Sequence, residues 1–185
     1  MKLLLILAAV IILAIAQSPC QSPPLWQGKV IEFDPSQAFA RRSDIFYDQA
    51  NSRLALYDDV SYQGRETYTF DLFFYAKAKY YSLNLQTQAC TIGPLNGSFP
   101  VIGVPPGSNL TGQFYIGVTG VPNDYVLVNR YEDYNGNYLG SWTNAGCAPV
   151  AAFVNTTKYG NIFFNFFDIQ LGLDPNVFSI PKQCA

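Results

Sequence analysis

The sequence predicts an all-β domain on three observations. Apolar residues recur at spacing two in short runs, the runs are separated by Gly, Pro, Asn and Asp, and no segment carries the spacing of a long amphipathic helix. A strand alternates its side chains between two faces, so spacing two is what a half-buried strand requires.

The chain opens with Met1 and Lys2, a short positive start, followed by the unbroken apolar run Leu3 to Ala16 that ends Ala14-Ile15-Ala16. That pattern predicts a secretory signal peptide over residues 1–16, cut after Ala16. The run is short for a membrane span, and no basic cluster or stop-transfer pattern follows it, so no transmembrane segment is expected. Removing 16 of the 185 residues leaves 169, a size at which one domain buries about 70% of its unfolded surface. Residues 17–185 are therefore read as a single β domain.

Within that domain the first strands fall at Trp26 to Phe33, Phe39 to Tyr47 and Arg53 to Asp58. From Glu66 to Tyr75 the alternation is clean: Tyr68, Phe70, Leu72 and Phe74 share one face, with Thr67, Thr69 and Asp71 on the other. A bend near Ala76 to Ala78 precedes Tyr81, Leu83 and Leu85, which resume the pattern as a returning strand of a hairpin. Gly93 to Gly112, rich in Pro, Gly, Ser and Asn, reads as a long surface connection. A strand over Phe114 to Thr119 follows. Asn135-Gly136 then predicts a second hairpin through a two-residue type I′ turn, with Tyr134 facing Asn137. That register puts Tyr125, Leu127, Tyr131, Tyr138 and Trp142 on one face, a stripe that is either core packing, the plainer reading, or a ligand wall. The last strands are Val150 to Thr156 and Ile162 to Ile169. In the latter, Ile162 to Phe167 is apolar on both faces and should be covered on both. Roughly nine strands suit two packed sheets or an incomplete barrel.

Composition narrows the function. Charged residues are 13% and aromatics 16% of the chain, and the net charge is −2, becoming −3 when Lys2 leaves with the leader (10 basic against 13 acidic residues). Nothing in that balance attracts nucleic acid. Histidine is absent, which removes the commonest general base and the commonest zinc ligand. No nucleophile elbow, SxxK, P-loop or GxGxxG motif occurs. The acidic groups Asp58-Asp59, Glu132-Asp133, and Asp168 with Asp174 lack EF-hand spacing, and neighbours on a strand point to opposite faces, so no doublet clamps an ion alone. No catalytic residue is assigned, and the chain is read as a binding protein, not an enzyme. A glycosidase built from two distant carboxylates is the remaining catalytic alternative.

Cys20, Cys90, Cys147 and Cys184 follow a signal peptide without CxxC spacing, so disulfides are expected, in any of three pairings. Three sequons, at Asn96, Asn109 and Asn155, predict N-glycosylation where they face outward.

Taken together, several stretches resemble the ependymin-related family. They are Cys20-Gln21-Ser22-Pro23 with Trp26-Gln27-Gly28, Tyr47-Asp48 with Asn51 and Arg53, and Tyr115-Ile116-Gly117. Cys147-Ala148-Pro149-Val150, Phe167 to Gly172, Asp174 to Phe178 and Pro181-Lys182-Gln183-Cys184 complete the set. The resemblance implies two stacked, curved antiparallel sheets forming a half-open barrel around an apolar pocket, similar to bacterial lipoprotein carriers, with few short helices and with dimers common. It implies the pairing Cys20 with Cys147 and Cys90 with Cys184, and it matches Asn109 and Asn155 to family sequon positions. Other members carry a further cysteine pair, one near the place held here by Gly64, so the strand beginning there should be less restrained.

The expected function is a secreted or lysosomal glycoprotein that binds a lipid or fatty-acid-like molecule as carrier or sensor. Phe70, Phe74, Phe164 and Phe166 are the candidate pocket-lining residues. The alternative implied by the resemblance is a calcium-dependent adhesion glycoprotein of the extracellular matrix, with calcium as the one cofactor and its ligands unknown.

Overall fold

The computed structural model describes residues 20–156 and 160–185. The signal-peptide expectation lies outside them. Eleven strands form: β1 (Leu25–Asp34), β2 (Phe39–Asp48), β3 (Arg53–Tyr62), β4 (Arg65–Phe74), β5 (Lys79–Asn84), β6 (Cys90–Pro94), β7 (Asn109–Gly117), β8 (Tyr125–Glu132), β9 (Tyr138–Thr143), β10 (Pro149–Thr156) and β11 (Gly160–Leu171). Single 3₁₀ turns at Tyr75–Lys77, Pro175–Phe178 and Lys182–Cys184 are the helical elements of the described residues.

All eleven strands belong to one antiparallel sheet in the order β6-β5-β4-β3-β2-β1-β11-β10-β9-β8-β7. The chain starts mid-sheet, meanders out to one edge, crosses to the opposite edge, and meanders back until β11 pairs with β1, with Val30 opposite Phe166 and Glu32 opposite Phe164. The sheet curls on itself without closing. Leu54 and Leu56 of β3 line the same cavity as Tyr138 and Trp142 of β9, although five strand spacings, about 24 Å on a flat sheet, separate those strands. The two layers of the expected half-open barrel are thus two halves of one continuous sheet.

The hairpins follow the alternation, but their turns do not all follow the expected chemistry. The β8–β9 register has Glu132 opposite Leu139 and Asn129 opposite Trp142, which continues to Tyr134 opposite Asn137. Its turn, however, is not type I′: only Gly136 has positive φ, Gly136 N donates to Asp133 O, and the Asp133 side chain accepts from Tyr138 N. The Asp133 carboxylate makes a four-residue loop sufficient. The two-residue turn with both φ values positive sits instead at Gln63-Gly64, joining β3 to β4 with Tyr62 opposite Arg65. β6, which the sequence reading lacks, is five residues ending in Gly93 and Pro94, tolerated because it is an edge strand.

One bulge re-aims β11. Gln27 faces Gln170 but Lys29 faces Phe167, so Asp168 and Ile169 together oppose Gly28, and Asp168 adopts φ 50°. A Cβ at Gly28 would stand 3.0 Å from the Phe167 carbonyl oxygen and 3.2 Å from Ile169, so a side chain there would crowd the bulge. Ile169 thereby joins the inner cluster with Phe164 and Phe166, while Phe167 stays on the outer face.

Both faces of the sheet carry a core. Outside, the C-terminal segment lies back over β3 to β6: Phe178 and Cys184 pack with Ala55, Phe70, Leu72, Tyr81 and Leu83. The Cys90–Cys184 disulfide fastens the segment to β6, and Arg53 stacks on the Phe178 ring at 4.0 Å while its Nε donates to Asp48 at 2.7 Å. Inside, Trp26, Val30, Ile45, Tyr47 and Leu56 form the main cluster. The edge-to-edge crossing from β6 to β7 runs across this inner face, which corrects the expectation of a surface connection. Phe99 packs on Tyr47 at 5.1 Å, Ile102 joins the inner clusters, and Val104 is buried beside Cys20. Ser22 N to Ile102 O (2.9 Å) and Val104 N to Cys20 O (2.7 Å) tie it to the N-terminal segment, which the Cys20–Cys147 disulfide anchors ahead of β10.

Candidate ligand-binding site

The inner face leaves a cavity of about 290 Å³ between β1–β3 and β9–β11, capped by residues 101–103. Its walls are Val30, Ile45, Leu54, Leu56, Phe164 and Phe166, with Tyr138 and Trp142 opposite. Alternation explains the lining: Trp26, Val30 and Glu32 on β1, Arg41, Ser43, Ile45 and Tyr47 on β2, and Leu54, Leu56 and Asp58 on β3 share one inward parity and register with one another. The buried Trp142 Nε1 donates to Tyr138 Oη at 2.7 Å, which satisfies the indole inside the wall. Burial pushes the Tyr138 phenol pKa up, so it stays neutral.

One end of this apolar space is polar. Glu32, Arg41 and Ser43 reach the cavity. Arg41 Nη2 donates to Asp58 Oδ2 at 2.6 Å, its Nη1 lies 3.5 Å from Glu32 Oε2, and the Ser43 hydroxyl donates to the other oxygen of Asp58. The pKa of Glu32 is raised, chiefly by burial and only partly offset by Arg41. Asp71 is raised too, by burial first and by neighbouring Asp58, although the nearby Ser82 hydroxyl and Thr69, which donates to it at 2.9 Å, work the other way. Burial works against the Arg41 charge, but hydrogen bonding to Asp58 and the charges of Asp58, Glu32 and Asp71 outweigh it, so Arg41 remains cationic.

Of the sequence-predicted lining residues, Phe164 and Phe166 face this cavity, whereas Phe70 and Phe74 do not. Phe70 and Phe74 belong to the outer cluster beneath the C-terminal segment, because β4 turns its even positions outward and its odd positions inward. Tyr131, Tyr138 and Trp142 of the aromatic stripe meet in a core cluster, while Tyr125 is exposed near the edge. The double-sided apolar run on β11 is covered inside only. On its outer face Phe163 stacks with Phe33 at 5.0 Å and Phe153 lies at 5.1 Å, but Phe167 is 48% exposed. Sequence reasoning does not single out Glu32, Arg41 and Asp58 as site residues, although each is a charge at an inward position of an otherwise apolar face. Asp58, read from the sequence as half of an acidic doublet unable to clamp an ion alone, is buried.

A larger depression of about 660 Å³ lies on the outer face, but exposed ion pairs cross it, Lys29 with Asp168 at 3.2 Å and Arg42 with Asp59 at 3.4 Å. Water already serves those charges. Among the described residues no group of three Asp, Glu, Cys or His is disposed to hold a metal. The carboxylates of Glu32 and Asp58 surround the Arg41 guanidinium, which occupies the place a cation would take, so these residues do not fit a calcium site. The three sequon asparagines, Asn96, Asn109 and Asn155, are all exposed.

A family model described as Ependymin matches residues 64–184. The chain belongs to the ependymin family. Mammalian ependymin-related protein 1 of Mus musculus is 27% identical over 173 residues, covering 90% of this chain and 76% of that protein. Ependymin of Clupea harengus is 24% identical over 183 residues, covering 96% and 86%. Among solved structures, an uncharacterized conserved protein from Thermus thermophilus aligns over 96% of each chain with a TM-score of 0.53 and 11% identity, a likeness of fold alone. A LolA-superfamily protein from Nitrosomonas europaea aligns over 87% of this ependymin-family chain and 93% of its own at a TM-score of 0.37 and 10% identity, below the level that shows a shared fold.

Proposed function

We propose that this ependymin-family protein is a secreted glycoprotein that binds, without transforming, a lipid-like molecule in the inner cavity. The observation that carries the reading is the cavity itself: apolar walls from six strands, with polar groups gathered at one end, the usual design of a small-molecule site. Its volume of about 290 Å³ stands near the lower limit of such sites, roughly 300 Å³, and suits one hydrocarbon chain. Two disulfides and three exposed sequons support passage through the secretory pathway. No helix among the described residues is long and apolar enough to cross a membrane. The apolar edge strand β7 supports association into a homodimer.

Native mass spectrometry of glycoprotein secreted from a eukaryotic host, followed by organic extraction and lipid analysis, tests the reading. The expected result is a co-purifying lipid, or uptake of an uncharged fluorescent probe, abolished in Phe164→Asp and Phe166→Asp variants that retain the wild-type circular dichroism spectrum. A folded wild-type protein that carries no lipid and takes up no probe would overturn it.

A further inference from the structure

We infer that the cavity selects a single-chain amphiphile with a protonated amine head and discriminates against the carboxylate head of a fatty acid. The inference rests on the cavity being a ligand site and goes on to name the class of ligand.

An apolar tunnel ending at an arginine ordinarily suggests a carboxylate, because a guanidinium offers paired donors to two oxygens. Here both terminal nitrogens already face carboxylates. Asp58 takes Nη2 at 2.6 Å and Glu32 lies 3.5 Å from Nη1. Ser43, the other polar group at this end, gives its hydroxyl to Asp58. One donor, Arg41 Nε, has no partner. A fatty-acid carboxylate entering here would have to share a guanidinium already paired with two carboxylates, and would meet Glu32 and Asp58 at close range.

The charge balance runs the same way. With both carboxylates ionised, one positive group faces two negative ones before Asp71 is counted, and attraction and repulsion are both strengthened away from water. An ammonium head reverses every term: it donates to Glu32, whose carboxylate reaches the cavity and has only the long contact to Arg41, and it brings the pocket end to neutrality. β11 contributes no charge opposite Glu32, since its register partner there is Phe164, and the Tyr138 phenol on the far wall is neutral at physiological pH. The charged groups beside Glu32 are therefore Arg41 from β2 and Asp58 from β3, while Asp71 from β4 acts on Arg41 and Asp58. The cavity's size sets the tail: about 290 Å³ accommodates roughly ten non-hydrogen groups at about 30 Å³ each.

Displacement of bound N-phenyl-1-naphthylamine by decylamine, decanol and decanoate at pH 7.5 isolates the head group at constant chain length. Decylamine is expected to displace the probe at about one-tenth the concentration decanoate needs, with decanol between them. Lowering the pH stepwise from 7.5 should shrink the amine's advantage over decanol as Glu32, its pKa raised chiefly by burial, takes up its proton, a series that needs no variant. In Glu32→Gln the advantage of the amine over decanol should be lost. Decanoate binding as tightly as decylamine in the wild type, or an amine preference that survives both acid pH and Glu32→Gln, would overturn the inference while leaving the cavity as a lipid site. Failure of the probe and all three chains to bind would overturn the binding reading and the inference with it.

Discussion

Arg41 holds together two carboxylates that would otherwise repel each other on the inner face. Its side chain is 27% exposed and that of Asp58 only 2%, so removing the guanidinium leaves Asp58 charged and nearly dry. Arg41→Met is expected to destabilise the protein by about 3 kcal/mol, read from the urea midpoint, and the double variant Arg41→Met/Asp58→Leu should recover most of that loss. The same cluster sets a pH dependence of unusual sign. Glu32 and Asp71 have folded-state pKa values raised above the ordinary carboxylate range, by burial first and with Asp58 adding to it. Between the ordinary value near about 4 and the raised one, the folded state binds more protons than the unfolded chain. Stability is therefore gained as pH falls through the raised values and is fully present below the ordinary value. Asp48 acts oppositely. Burial disfavours its charge, but Asn51 and Arg53 together outweigh burial and hold its pKa low, so its contribution is lost only in stronger acid, below about pH 4. The melting temperature is expected to be a few degrees higher at pH 5 than at pH 7.5, and Glu32→Gln/Asp71→Asn should flatten that slope. None of this is legible in the sequence, because a charge within an alternating run reads the same whether its face is wet or dry.

At the scale of elements, the strands are legible in the sequence and the coverings are not. Alternation at spacing two is a local signal, and it leaves only β6 of the described strands without a counterpart, while the Asn135-Gly136 pair supplies the β8–β9 register. It says nothing of which face another segment will cover. Phe70 and Phe74 read as pocket residues for that reason: their stripe is real, but it is the C-terminal segment, about a hundred residues further on, that seals it. The crossing from β6 to β7 is likewise invisible, since a stretch of Pro, Gly and Ser has no period and its burial follows only from joining opposite edges of a curled sheet. The C-terminal covering can be tested separately from the inner core. Cys90 and Cys184 are 94 residues apart in sequence, and closing so long a loop restrains the unfolded chain. Cys90→Ala/Cys184→Ala is expected to lose about 3 kcal/mol. Amide exchange should quicken at Leu72 and Tyr81 beneath the segment, while Trp26 on the inner face keeps its protection until global unfolding.

The molecule as a whole is an open sheet, and an open sheet has two edges whose unpaired N–H and C=O groups invite another strand. The two edges are treated differently. β6 is five residues long, ends in Pro94 and is fastened by Cys90 to the C-terminal segment, all of which blunt it. β7 is nine residues long, contains no charged residue, and exposes Phe114, Tyr115 and Ile116 at 41%, 53% and 43%. A glycan on Asn109 would shield the first end of that strand and leave the aromatic end free, which is the arrangement a self-pairing edge needs. A lysine there supplies the charge that protected edges usually carry and does so at a site where folding does not depend on burial. In sedimentation velocity at micromolar concentration the wild type is expected to run as a dimer and Ile116→Lys as a monomer, with the two melting temperatures, taken at a concentration where both are monomeric, within about 1 °C of each other. A wild type that remains monomeric at about a hundred times that concentration would remove the dimer from the reading, and β7 would then owe its apolar edge to some partner other than itself.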